Sequence, residues 1–151
     1  VRSRRFSIRF NTAFAETIRA CAVDRDADNR NWIGPAIVAV YEELHAMGFA
    51  HSLEAWRDGR LVGGLYGVAL GGAFFGESMF CRPAEGGRDA SKVCLVHLVE
   101  HLRERGFALL DTQYASAHLD RFGTVDLTPE EYLSELYRAL LLKRSFIEPA
   151  R

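Results

Sequence analysis

Between Ala50 and Cys81 three runs of apolar residues are separated by two glycine turns, Asp58-Gly59 and Gly71-Gly72. Asp-Gly is a strong hairpin signal, because a two-residue hairpin turn needs positive φ at both central residues and these two types reach it at least cost. The block therefore predicts three consecutive strands, Ala50 to Trp56, Leu61 to Leu70 and Ala73 to Cys81. Whatever else the chain forms must pack on the sheet they make. The longest uncharged stretch, Leu61 to Gly76, lies inside this block. Its 16 residues, six of them glycine, fall short of a membrane span.

The flanks supply the helices. Phe6, Ile8 and Phe10 alternate with Ser7 and Arg9, as in a half-buried strand. Asn11 or Thr12 then caps a helix with the stripe Phe14, Ile18 and Cys21. Gly34-Pro35 opens a second helix with Ile37, Tyr41 and Leu44 on one face, and Gly48 closes it. Asp89 is placed to cap a helix from Ala90 to Arg105, with Val93, Val96, Val99 and Leu102 as its apolar side. Phe107 to Leu110 reads as a short strand buried on both faces. Thr124 to Leu127 is an edge-strand candidate. Thr128-Pro129-Glu130-Glu131 is a capping box that launches a helix with Leu133, Leu136 and Leu140 inward. The expected fold class is α+β, with a largely antiparallel sheet and helices packed on it. Residues 1–142 make a single domain, and 143–151 a loose tail. A chain that starts at Val1 and runs straight into an extended segment is consistent with a missing upstream portion.

Composition narrows the partners. A net charge of −1 offers no general field for nucleic acid, so any such contact must be local. Arg2, Arg4, Arg5 and Arg9 form one such local cluster. Three scattered cysteines, Cys21, Cys81 and Cys94, make neither a disulfide framework nor a metal knuckle, which points to a reducing, cytoplasmic setting. The polar, arginine-rich N-terminus has no apolar core of a signal peptide behind it.

Two acidic residues stand out. Strand parity puts Glu77 on the face of Phe75 and Met79, where a carboxylate is costly unless paired or used. The alternative is an edge glutamate turned to water. Asp111 ends the apolar run Ala108-Leu109-Leu110 and is followed by Thr112-Gln113, at the strand end where ligand sites often lie. The alternative is an Asp that caps the turn. His97-Leu98-Val99-Glu100-His101 matches a zinc-peptidase pattern, but its histidines fall opposite the valine stripe, and a solvated face without metal is the expected reading. The helix start at Arg88 to Lys92 serves either as an anion site or as an ordinary cap. Trp32, Trp56, Phe74 and Met79 are more often core than pocket, Cys81 and Cys94 read as small core residues, and His118 sits in an irregular loop.

Taken together, these segments resemble the leucyl/phenylalanyl-tRNA–protein transferases. The resemblance is carried by Ser52 to Trp56, Leu61 to Val68, Phe75-Gly76-Glu77-Ser78-Met79-Phe80, Ala90-Ser91-Lys92, Leu110 to Gln113, His118 and Phe122-Gly123. It implies an acetyltransferase-like (GNAT-like) fold and the transfer of Leu or Phe, less readily Met, from the 3′ end of aminoacyl-tRNA. The acceptor it implies is a protein with N-terminal Arg or Lys, marked thereby for N-end-rule degradation. It further implies Asp111 and Gln113 as the catalytic pair, with Glu77 near the acceptor amine. Trp32, Leu65, Phe74, Ser78, Met79, Leu98 and Leu110 correspond to the lining of an apolar side-chain pocket. Leu65 stands where relatives can carry Met, and Leu98 where they can carry Phe. Set beside that family, the sequence is expected to lack the usual N-terminal domain. The donor ester is already activated, so no cofactor, metal or membrane is expected.

Three alternatives stay open. An acetyl-CoA-dependent N-acetyltransferase shares the fold, but no Q/R-x-x-G-x-G/A loop precedes the helix at Asp89. The others are a non-catalytic binder of aminoacyl-tRNA or peptide N-termini, and a zinc peptidase built on His97 and His101.

Overall fold

The computed structural model describes residues 5–23, 33–113 and 119–147. Its elements, in chain order, are β1 (Ser7–Phe10), α1 (Phe14–Val23), α2 (Pro35–Ala46), β2 (Ala50–Arg57), β3 (Arg60–Leu70), β4 (Ala73–Cys81), α3 (Ala90–Glu104), β5 (Leu109–Asp111) and α4 (Pro129–Leu140). The strands form one sheet in sequence order, antiparallel from β1 to β4. β5 runs parallel to β4, because α3 carries the chain back over the sheet before it.

The helices divide the core into two layers. Phe14, Ile18 and Cys21 of α1 meet Tyr66 and Phe80 on one face, with Ile37, Tyr41 and Leu44 of α2 packed against them. Cys94, Leu95, Leu98 and Leu102 of α3 meet Leu53, Val62, Leu65 and Phe74 on the other. The inward stripe of α3 thus runs through Cys94, Leu95 and Leu98, and Val93, Val96 and Val99 are only half-buried flanks. Both stripes are apolar, so periodicity alone did not set the phase. Gly63 explains how close α3 comes: a Cβ there would lie 2.4 Å from the Ala90 Cβ. Asp89 occupies the position before α3 with φ 65° and makes no side-chain cap; its carboxylate accepts from Lys92 instead, at 2.5 Å.

One buried charge belongs to the scaffold. Glu54 on β2 is fully buried, and its carboxylate accepts from Ser52 Oγ at 2.5 Å, Thr12 Oγ1 at 2.7 Å and Thr12 N at 3.2 Å. The carboxylate satisfies the turn that leads into α1, and in return its own lone pairs are filled.

The C-terminal third departs from the sequence expectation. β5 is half-buried rather than enclosed, because no further strand pairs with it among the described residues. Thr124 to Leu127 forms no strand. The capping box of α4 is present, but the helix is turned by one stripe: Tyr132, Leu136 and Ala139 face inward, leaving Leu133 50% and Leu140 42% exposed. The described part of the segment expected as a loose tail, residues 143–147, also folds back. Phe146 is 2% exposed, stacked on His51 at 4.3 Å and on Phe74 at 5.3 Å between ring centroids. That docking draws His101 onto Phe146 and Phe10, so this histidine is half-buried rather than solvated.

Candidate active site

The position of Glu77 depends on a fault in the sheet. Tyr66 on β3 pairs with Ser78, but the next residue, Gly67, pairs with Gly76, so Glu77 is the extra residue of a β-bulge. Bulges commonly re-aim a side chain beside a functional site. This one reverses the parity of β4. Phe74, not Phe75, shares the α3 face with Met79, and Glu77 turns toward α2, where its carboxylate accepts a hydrogen bond from Tyr41. Gly67 makes room for the fault, since a Cβ there would sit 2.3 Å from the Phe75 carbonyl oxygen and 2.5 Å from the Phe74 ring.

Asp111 and Gln113 close the arrangement from β5. Gln113 adopts φ 68°, a left-handed conformation that costs about 1–2 kcal/mol for a residue with a Cβ. Three hydrogen bonds hold it there. Its N–H donates to Asp111 Oδ1 at 2.7 Å, and its Nε2 donates to the Gly76 carbonyl at 3.0 Å and to Glu77 Oε2 at 3.2 Å. The second Asp111 oxygen, Oδ2, accepts from the Tyr132 hydroxyl at 2.6 Å. The result is a continuous chain, Tyr41–Glu77–Gln113–Asp111–Tyr132, across the ends of β4 and β5.

Electrostatics follow from this packing. Burial raises the Glu77 carboxyl above its ordinary range; the hydrogen bonds from Gln113 and Tyr41 pull it back, and the nearby Asp111 charge pushes it further up. The Tyr41 hydroxyl is pushed up to about 12 by burial and by the Glu77 carboxylate it donates to. Tyr132 is also raised to about 12, first by its hydrogen bond to Asp111. Both phenols therefore remain hydrogen-bond donors throughout the neutral range.

A cleft of about 1020 Å³ opens between β5, the outer flank of α3 and the segment leading into α4. Leu95, Val99, Leu102, Phe107, Leu110 and Phe122 give it apolar walls, and Asp111, Gln113 and Tyr132 stand in it. Of the residues expected to line a side-chain pocket, Leu110 does so. Leu65, Phe74 and Leu98 are wholly buried in the core behind it, and Met79 packs against that same core. Ser78 is 8% exposed, and its hydroxyl has no hydrogen-bond partner among the described residues. Trp32 and His118 lie outside the described residues. Glu77 is not a wall of this cleft. It lies on the α2 side of the strand end and reaches the cleft through the Gln113 amide, so the two carboxylates are linked rather than set face to face across a hollow.

Sequence reasoning passed over both tyrosines. Tyr41 was read as an ordinary member of an apolar stripe. Tyr132 directly follows the capping box, where only the rotation of α4 decides whether it faces in. Around Asp89, by contrast, Arg5 from the basic N-terminal cluster, Arg88 and Lys92 come together closely enough to lower its carboxyl, the Lys92 hydrogen bond and charge first. Among the described residues no group of three or more His, Cys, Asp or Glu side chains is placed to hold a metal ion, and the His101 Nε2 is engaged with the Phe146 carbonyl at 2.6 Å. No described helix is long and apolar enough to cross a membrane.

Comparison with known proteins agrees with this architecture. A GNAT family acetyltransferase from Brucella melitensis, solved with acetyl-CoA, superposes with a TM-score of 0.61 at 19% identity, covering 82% of this chain and 85% of that one. A predicted acetyltransferase from Clostridium acetobutylicum gives 0.60 at 12% identity, covering 82% and 92%. These likenesses establish a GNAT-like α+β fold. At the sequence level, the leucyl/phenylalanyl-tRNA–protein transferase of Gloeobacter violaceus is 54% identical over 146 residues, 97% of this chain and 72% of that protein. The enzyme of the same name from Pelodictyon phaeoclathratiforme is 47% identical over 146 residues, 97% of this chain and 73% of that protein. The profile described as leucyl/phenylalanyl-tRNA protein transferase matches residues 1–137. On this profile match and these identities across nearly the whole chain, the chain belongs to the leucyl/phenylalanyl-tRNA–protein transferase family.

Proposed function

We propose that this chain is an aminoacyltransferase that moves Leu or Phe, less readily Met, from aminoacyl-tRNA to the N-terminal Arg or Lys of acceptor proteins, marking them for N-end-rule degradation. The observation that carries the reading is Gln113, whose side-chain amide donates to Glu77 and whose backbone N–H donates to Asp111, beside an apolar cleft. An apolar aminoacyl group suits such a wall, and a cationic N-terminus suits two neighbouring carboxylates. The reaction needs an amine brought to an ester carbonyl, a proton removed and an oxyanion stabilised. The amine nitrogen forms the new amide bond, the bond from the carbonyl carbon to the ribose oxygen breaks, and the amine proton ends on that oxygen.

Asp111 is the group that accepts the amine proton and returns it to the leaving ribose. Gln113 holds Asp111 through its backbone N–H; its two side-chain N–H groups are taken by Gly76 and Glu77, so it offers the attacking amine its Oε1 as an acceptor. Glu77 attracts the acceptor's charged end. Positioning supplies up to about 7–11 kcal/mol in well-aligned systems, and proton handling adds roughly 10²- to 10⁴-fold. Ser78, whose buried hydroxyl lacks a partner, and Leu65, Phe74, Met79, Leu98 and Leu110 shape the aminoacyl side of the site, with Trp32 from the segment outside the described residues. The cationic group of Arg5, Arg88 and Lys92 suits the phosphates of the tRNA end, a contact that weakens steeply with salt.

The test is transfer of labelled Phe or Leu from charged tRNA onto an Arg-starting peptide, beside an Ala-starting peptide and beside acetyl-CoA as the donor. Labelled product with Arg and not Ala is the expected result. Acetylation without aminoacyl transfer refutes the proposal in favour of the acetyltransferase, and binding without either product favours a non-catalytic remnant.

A further inference from the structure

We propose that Tyr132 is a positioning residue for Asp111: its hydroxyl, delivered by α4, holds the carboxylate in one orientation for the transfer step. The inference rests on the assignment of Asp111 above. It goes beyond that assignment, which gives no role to any residue of α4.

The geometry is specific. A strand-end aspartate normally samples several rotamers, but both oxygens of Asp111 are taken, Oδ1 by the Gln113 N–H at 2.7 Å and Oδ2 by the Tyr132 hydroxyl at 2.6 Å. Both donors are neutral. Glu77 from β4 is close enough for its charge to interact with that of Asp111, and Arg103 from α3 and Asp126 from the segment before α4 line the same cleft. The phenol itself, raised to about 12, stays a donor and does not exchange the proton.

The delivery is rigid. The Tyr132 N–H donates to the Thr128 carbonyl at 2.9 Å, directly after a capping box in which Thr128 N donates to Glu131 Oε2 at 2.8 Å. At the other end of the helix, Gly72 N donates to the Ala139 carbonyl at 2.7 Å, which ties α4 to the β3–β4 turn. A ring needed only for packing does not need a hydroxyl, and on the adjacent stripe Leu133 and Leu140 are partly exposed without a comparable task.

The test substitutes Tyr132→Phe in the full chain, which removes one oxygen and keeps the ring. Single-turnover transfer should fall about 10- to 100-fold, the range expected for one hydrogen bond to a charged group. The acceptor KM should be unchanged, a split between kcat and KM that a merely structural loss would not give. Carbon-13 NMR of the Asp111 carboxylate at one fixed pH should show its signal shifted and broadened as further rotamers become populated, a readout that needs no activity. Leu133→Ala, a control on the same helix, should leave the rate and the carboxylate signal as they are. Should the Phe variant fail to fold, 3-fluorotyrosine at position 132, a stronger donor, should shift the Asp111 carboxylate signal while transfer is retained. An unchanged transfer rate or an unchanged carboxylate signal overturns the proposal. If the unsubstituted protein transfers nothing, the functional reading fails, and the carboxylate signal alone then decides the Tyr132–Asp111 link.

Discussion

Replacing Phe146 with Ala tests whether the C-terminal segment belongs to the fold. The ring is 2% exposed and sits among five aromatic neighbours: His51 at 4.3 Å, His101 at 4.6 Å, Phe74 at 5.3 Å, Phe10 at 6.3 Å and Phe107 at 6.4 Å. Burying a phenylalanine removes at least ~150 Å² from water, worth about 4 kcal/mol at 25 cal/mol per Å². Ring contacts add to that, and partial collapse of the void subtracts from it, so about 3–5 kcal/mol is the expected loss. For a domain of this size each kcal/mol moves Tm by about 2–4 °C, so Tm should drop by roughly 6–20 °C. Thermal unfolding followed by circular dichroism measures it. Phe146→Leu, which refills most of the space, should recover a large part of the drop. A shift under ~2 °C for Phe146→Ala would show that the segment is not docked and that residues 143–147 are the loose tail their sequence suggests, since surface changes alone stay near 0.5 kcal/mol.

Other perturbations address the site. Asp111→Asn keeps an acceptor oxygen for the Gln113 N–H but removes the base, and single-turnover transfer should fall by at least about 10²-fold with tRNA binding retained; full activity removes Asp111 from the chemistry. Glu77→Gln should raise the acceptor KM for Arg- and Lys-starting peptides more than it weakens tRNA binding, and an unchanged KM and kcat reject that role. The same substitution has a pH signature. Because the folded carboxyl titrates above its unfolded value, Glu77 contributes stability that is fully present below the ordinary glutamate range and is lost as pH rises through the raised value. His51 acts oppositely: held neutral by burial with its pKa lowered to about 4, it contributes stability present above about 6.5 that is lost as pH falls toward 4. Urea unfolding at a series of pH values should therefore show the Glu77→Gln protein gaining on the unsubstituted one as pH rises through the raised range. A pH-independent difference between the two contradicts it.

The meander was legible because its turns are coded by local chemistry. Asp58, Gly59 and Gly71 reach positive φ where the two hairpins turn, and β4 was placed to the residue. The starts of α2 and α4 were equally plain, from Pro35 and the Thr128–Glu131 box. Failures came where tertiary packing chooses between equal local options. α3 carries both a valine stripe and a Cys94–Leu98 stripe, and α4 both a leucine stripe and a Tyr132–Ala139 stripe; the sheet selects one of each. Phe146 gives no periodic signal, because a single aromatic in a polar stretch is placed only by the hollow that receives it. Glu77 was picked out by its cost on an apolar face and Asp111 by its place at a strand end, but Glu77, expected to share the face of Phe75 and Met79, shares only that of Phe75. A bulge adds a residue without leaving a pattern, and the one residue that permits it, Gly67, lies on a different strand.

That bulge and the conformation of Gln113 are two halves of one device. Without the extra residue in β4, strict alternation could not hold both Phe74 and Met79, five residues apart, on the α3 face with Glu77 turned to Tyr41. Were Gln113 in ordinary extended geometry, its N–H would point sideways out of the strand instead of turning back onto Asp111. Each departure costs stability, and neither gains anything alone. Together they let a single amide donate to the Gly76 carbonyl and the Glu77 carboxylate while its backbone secures Asp111. The same strain fixes the spacing of two acidic groups that would otherwise repel and drift apart. Backbone strain of this kind persists where the surroundings over-determine it. Here the surroundings are three hydrogen bonds from one residue, which is why Gln113 is the keystone of the site and the carboxylates its two loads.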